Sequence, residues 1–158
     1  MVFHCKKLSV HAAIAFSLVP LNIFALHPTA QAQENEDACA EVIEFVSSEM
    51  MRGRNLRIDY NRRDATQTYA DASSKRPIIQ VLVMSGSAAN SIFQSPRFMT
   101  TQTKTIVQSC HNVGAVEFAL QGSSASITLG LMKDGMVKKF TCSENSSIAW
   151  GQVLCGGR

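Results

Sequence analysis

Histidine is scarce in the body of this chain. His4, His11 and His27 fall in the first 32 residues, and only His111 follows. Histidine is the usual general base near neutral pH and a common metal ligand. From residue 33 onward a histidine-rich metal centre is therefore excluded, and a histidine-based catalyst has one candidate. Closely spaced cysteine pairs are also missing. Without C-x-x-C, a thioredoxin-like redox site lacks its signature, and so does a zinc ribbon. There is no P-loop, dinucleotide fingerprint, EF-hand loop or zincin pattern. No nucleic-acid-binding motif, internal repeat or low-complexity tract appears.

The amino-terminal segment is organised. Met1–Lys7 is short and basic, carrying Lys6 and Lys7. Leu8–Leu26 is mostly apolar, and Ala30-Gln31-Ala32 is a small-x-small cleavage site. That order is the layout of a secretory signal. The apolar stretch contains Ser9, His11, Ser17, Pro20 and Asn22, which suit a membrane span poorly. Cys5 precedes the apolar run, so the lipoprotein pattern does not fit. The expectation is a cleaved signal over residues 1–32 and a single domain over residues 33–158, exported to the periplasm or the extracellular space, with no membrane span after cleavage. Removing Lys6 and Lys7 lowers the formal charge from +3 to +1, so the chain's basicity is mostly a targeting feature.

Cys39, Cys110, Cys142 and Cys155 remain after residue 32, at spacings of 71, 32 and 13. An even number in a small exported domain reads as two disulfides. Three pairings are possible. Cys39 opens one predicted helix and Cys110 closes another, so antiparallel packing would bring them together. Cys142–Cys155 then follows by elimination and closes a short loop.

Periodicity supplies the elements. Ala38–Arg52 reads as a helix capped by Asp37 and stopped at Gly53. Its apolar stripe is Cys39, Val42, Ile43, Val46 and Met50. Residues 55–75 are polar; they suit either a marginal hairpin, Leu56–Tyr60 with Thr66–Tyr69, or a mobile loop. Pro77–Ser85 is an almost unbroken apolar strand, which suggests cover on both faces. Ser87 is placed to cap a short helix, Ala88–Gln94. Ser95-Pro96 starts the next, Pro96–Cys110. Ala115–Leu120 and Ser124–Met132 alternate as strands, and Lys133-Asp134-Gly135 makes a hairpin turn to Val137–Cys142. Ile148–Cys155 is the expected last strand. The class is α+β: an antiparallel four- to five-stranded sheet with two main helices on one face, and two disulfides.

Candidate sites are few. Arg52, Arg54, Arg57, Arg62 and Arg63 lie within twelve residues, opposed only by Asp59. The simple reading is a solvated connector. The sharper one is an anion-binding patch, with Tyr60 and Tyr69 flanking part of it. His111 follows the predicted helix end, where a polar histidine complements the helix dipole without catalysing anything. Met84-Ser85-Gly86-Ser87 echoes a nucleophile elbow but lacks the G-x-S-x-G frame. Glu117 lies on the expected outer sheet face, without the partner carboxylate a glycosidase needs. Asn145-Ser146-Ser147 fits a glycosylation sequon, and Trp150 reads as a core or sheet-face residue.

The stretch from Ser95 to Cys155 resembles a family of small exported cyanobacterial proteins of unknown function. The resemblance rests on Gln94-Ser95-Pro96-Arg97-Phe98, Ser109-Cys110, Thr128-Leu129-Gly130-Leu131-Met132, Asp134-Gly135, Phe140-Thr141-Cys142, and Trp150-Gly151 before Cys155. It implies an exported, cysteine-bridged domain and carries no activity, cofactor or metal with it. The expected function is non-enzymatic: an exported binding or envelope protein whose partner could be an envelope component and is not expected to be nucleic acid. The alternatives are a small secreted hydrolase using His111 and an anion-binding module using Arg52–Arg63.

Overall fold

The computed structural model describes residues 29–155, with side chains from residue 38 onward. Most of the expected signal lies outside the described residues; residues 29–32 open the first helix.

That helix, α1, spans Thr29–Met51. It begins nine residues earlier than its apolar stripe suggests, so Asp37 sits inside it instead of capping it. No proline or glycine interrupts the sequence between Pro28 and Gly53, and Gln33–Asp37 tolerates helix. The stripe is as expected: Cys39, Ile43, Val46 and Met50 are buried and Val42 is half-buried. At the far end Arg54 donates to the Met50 carbonyl at 2.9 Å, satisfying a last-turn acceptor that the helix itself leaves open.

The helix α3, Pro96–Ser109, packs on α1 through Met99, Ile106 and Val107. Ser95 occupies its N-cap, but its hydroxyl makes no capping bond; Pro96 at the first helical position provides the start. The short α2, Ala89–Phe93, likewise starts without a side-chain cap, at Ala88 and not at Ser87. Cys39 and Cys110 are joined at one end of the α1/α3 pair, with Cα atoms 4.9 Å apart. At the opposite end the Arg54 guanidinium lies 5.6 Å from the Phe98 ring centre. The two main helices therefore run antiparallel.

Five strands form one sheet in the order β1 (Arg57–Asp64), β2 (Ile78–Ser85), β3 (Val113–Leu120), β4 (Ser126–Leu131), β5 (Val137–Lys139). The sheet is mixed and not wholly antiparallel, because β2 and β3 run parallel. The α2–α3 crossover between them is long enough to return the chain to the same end, which a hairpin cannot do. β1 pairs with β2, so the expected hairpin within residues 55–75 is absent. Instead Asp64 ends β1. Its carboxylate accepts from the Thr66 N–H at 2.8 Å and the Thr66 hydroxyl at 2.7 Å, starting a 3-10 turn over Ala65–Gln67. Those bonds hold the Asp64 carboxyl below its ordinary range, the hydroxyl's contributing most.

One sheet face carries the helices and the larger core, including Leu82, Met84, Val116, Phe118 and Leu129. The other face carries a second core: Ala65, Tyr69, Ile79, Ala115 and Phe140, with Trp150 and Val153 against it. This accounts for the unbroken apolar run of β2, which is covered on both sides. The expected strand Val137–Cys142 splits at Phe140. At Gly130 a Cβ would collide with the Phe140 ring, so the missing side chain leaves the space that the ring fills. The chain then leaves the main sheet as β6 (Thr141–Ser143), which pairs parallel with β7 (Gln152–Leu154). Of the expected last strand, Ile148–Cys155, only β7 is extended. Cys142 and Cys155 close this small second sheet, their Cα atoms 4.9 Å apart.

Candidate ligand-binding groove

The second core ends in a groove of about 540 Å³, within the usual range for small-molecule sites. Two of its lining residues, Tyr69 and Phe140, belong to an aromatic cluster that Trp150 completes outside the groove. Tyr69 stands edge-to-face against Phe140 at 5.8 Å and Trp150 at 5.4 Å, and Phe140 meets Trp150 at 5.1 Å. Such pairs contribute roughly 0.5–1.5 kcal/mol each beyond area burial. Trp150 donates its indole N–H to the Leu131 carbonyl at 3.0 Å, and its backbone N–H to Asp71 at 2.7 Å. Trp150 is thus a sheet-face residue, held by its polar atom.

Strand alternation supplies the polar wall. Arg63 in β1 and Glu117 in β3 point to this face on either side of β2. The Arg63 Nη2 reaches Glu117 Oε2 at 2.7 Å, with side-chain exposures of 45% and 16%. Tyr69 is 2% exposed. Burial pushes its phenol above the usual value of 10.0; nearby Arg63 opposes the shift and Glu117 adds to it. Tyr69 therefore stays a neutral hydroxyl across the physiological range. Residues 123–126 add the hydroxyls of Ser123, Ser124 and Ser126, Thr128 and Lys139 also line the groove, and Ile148, Val153 and Leu154 give it an apolar side.

The arginine cluster is divided by the fold. Arg52 pairs with Glu49, and Arg54 is spent on the end of α1 and the Phe98 ring. Arg57 and Arg63 project from the groove face of β1, Arg62 from the helix face. Only Arg63 lines the groove. His111 is exposed on the turn after α3 and makes no hydrogen bond or ion pair among the described residues. Glu117, the only carboxylate among the described residues lining the groove, is held by Arg63. Among the described residues no group of three His, Cys, Asp or Glu side chains could hold a metal ion, and no helix is long and apolar enough to cross a membrane.

The Arg63–Glu117 pair, Lys139 and the serine loop are absent from the sequence-level candidates. Alternation places Glu117 on an outward face, but its meeting with Arg63 depends on the extension of β1 to Asp64 and on the β1-β2-β3 strand order. Comparison with protein-family models, curated proteins and solved structures finds no match.

Proposed function

We propose that the protein is an exported, non-enzymatic binding domain that takes a small hydroxylated ligand bearing a carboxylate in the groove between Arg63 and the 123–126 loop. The observation that carries this reading is the meeting of Arg63, Glu117 and the neutral Tyr69 hydroxyl in one hydroxyl-lined hollow. Arg63 and Lys139 supply charge for an anionic group. A guanidinium presents paired donors that match a carboxylate. Tyr69, the serines and Thr128 supply neutral donors and acceptors for hydroxyls. Glu117 steers Arg63 and repels a misplaced anion. The anion-binding alternative thus narrows to Arg63 within the groove.

Export rests on the signal pattern, on the resemblance of Ser95–Cys155 to small exported proteins, and on two disulfides, which persist in oxidising compartments. Cleavage after Ala32 would trim only the first four residues of α1 and leave the buried stripe from Cys39 untouched. The intact mass of the secreted protein checks this.

Binding is tested by amide-shift mapping with a panel of neutral and carboxylated saccharides. Carboxylated members should perturb Arg63, Glu117, the 123–126 loop and Lys139. Arg63→Gln should weaken binding about tenfold, the scale of one charge-assisted hydrogen bond, and Tyr69→Phe by less. Shifts confined to another surface, or affinity unchanged in both folded variants, would overturn the reading.

A further inference from the structure

On the helical side of the sheet, the end of α3 and the β4–β5 hairpin border another hollow, of about 430 Å³. It shares no lining residue with the groove. One side is apolar. Val107 of α3 faces Leu131 and Val137 of the hairpin, with Met136 at the turn left 58% exposed. The other side is cationic, formed by Arg76 and Lys104 with Gln108 beside them, and no carboxylate among the described residues lines it. Arg76 is the informative member. It is half-buried, yet it makes no ion pair among the described residues. Its Nη1 donates to the Val107, Cys110 and Val113 carbonyls at 2.6, 3.3 and 2.9 Å. Carbonyls at the end of a helix offset part of a positive charge, and here they hold the group in position before any ligand arrives. That tie uses one of the three guanidinium nitrogens. Nη2 and Nε make no hydrogen bond among the described residues. Lys104 likewise has no partner there, and α3 contains no acidic residue.

We propose that this hollow binds an aliphatic carboxylate, the anion of a medium-length straight-chain fatty acid. Its carboxylate sits on Arg76 and Lys104, and its chain lies along Val107, Leu131, Val137 and Met136. Each half of the hollow calls for one half of such a ligand. Nη2 and Nε of one guanidinium form a fork that matches the two oxygens of a carboxylate. Lys104 adds a rim charge that steers the anion in, and no acid opposes it. The apolar wall offers no group to pair with hydroxyls, so a sugar would leave its own unsatisfied there. A neutral hydrocarbon would leave the unused guanidinium donors as they are. Met136 is flexible and polarizable, and such a side chain adapts to an irregular apolar chain. The volume lies near the lower end of the usual range for small-molecule sites, which favours a medium over a long chain. The site is independent of the groove and lies on the opposite face of the sheet.

The test uses the full chain exported into an oxidising compartment. Octanoate is the probe, with 1-octanol and acetate standing for its apolar and charged halves. Amide-shift titration should give saturable octanoate shifts at Lys104, Gln108, Leu131 and Val137, and none around Arg63. Octanol and acetate should each bind about tenfold more weakly or worse. Lys104→Glu/Gln108→Glu changes two exposed positions of α3 and should stay folded. It should weaken octanoate about tenfold and leave octanol unchanged. Arg76→Met should abolish the preference for octanoate over octanol, a ratio that loss of the structural tie alone would not move. If Arg76→Met does not fold, the charge-reversal variant and the octanol comparison decide alone. Octanol binding as tightly as octanoate, shifts centred on Arg63 and Glu117, unchanged affinity in the folded charge-reversal variant, or no saturable shift at millimolar octanoate each overturns the proposal. Such a failure leaves the groove reading standing, because the two sites share no lining residue.

Discussion

Removing the two disulfides one at a time should cost unequal amounts. Cys39–Cys110 closes a loop of 71 residues and Cys142–Cys155 one of 13. If each bridge acts mainly by restricting the unfolded chain, loop-closure entropy gives about 4.4 kcal/mol for the first and about 2.9 kcal/mol for the second. The gap of about 1.5 kcal/mol is roughly tenfold in the folding equilibrium. Burial widens it, since Cys39 and Cys110 are fully enclosed between α1 and α3, whereas Cys142 and Cys155 are exposed. Replacing both buried sulfurs by alanine removes packed atoms as well as the link. A domain of this size has roughly 5–15 kcal/mol of stability in total, so the first deletion removes a large share of it. Urea unfolding of the two paired-alanine variants, extrapolated linearly to water, measures both costs. Equal costs, or a larger cost for Cys142→Ala/Cys155→Ala, would refute the loop-entropy argument and show that native-state packing around each bridge governs.

Three other outcomes follow from the structure. Gly130→Val should destabilise by about 1–3 kcal/mol, because its side chain would occupy the volume of the Phe140 ring; a wild-type denaturation midpoint would contradict this. Arg76→Met should cost about 1.5–3 kcal/mol, because the guanidinium donates to the Val107 and Val113 carbonyls at 2.6 and 2.9 Å and ties the end of α3 to the start of β3; thermal melts report the loss. Tyr69 should titrate above 10.0 in a Tyr60→Phe background, read from the ultraviolet tyrosinate band. Its folded value is the raised one, so its contribution is fully present below 10.0 and is lost as pH rises through the folded value; Glu117→Gln should lower that value.

Much of the helical face is legible in the sequence. The α1 stripe, the α3 start at Pro96, the strands at β2, β3 and β4 and both disulfide pairs each depend on local periodicity or on one simple packing idea. The opposite face is not legible, because its determinants are distant from one another. Tyr69 sits in a polar stretch with no apolar period, and its packing partners Phe140 and Trp150 arrive from the other end of the chain. The parallel β2–β3 pairing escapes for a similar reason: an apolar run reports burial on both sides but not the direction of its neighbour. Asp37 shows the reverse error, a good capping residue overridden because nothing upstream before Pro28 breaks the helix. The groove inherits these difficulties, since Arg63 and Glu117 meet only after the strand order is known.

Trp150 is the chain's single tryptophan, and it belongs to the smaller core. Tryptophan fluorescence, excited selectively at its red edge, therefore reports the smaller core and not the helical layer, while far-ultraviolet circular dichroism is dominated by α1 and α3. The two signals watch opposite sides of one sheet. Coincident unfolding curves mean that the β-sheet transmits cooperativity through its own thickness. If fluorescence moves first, the carboxy-terminal layer with its groove detaches as a separate unit while the helical layer stands. The molecule thus carries a built-in optical marker for the half of the fold that holds the groove.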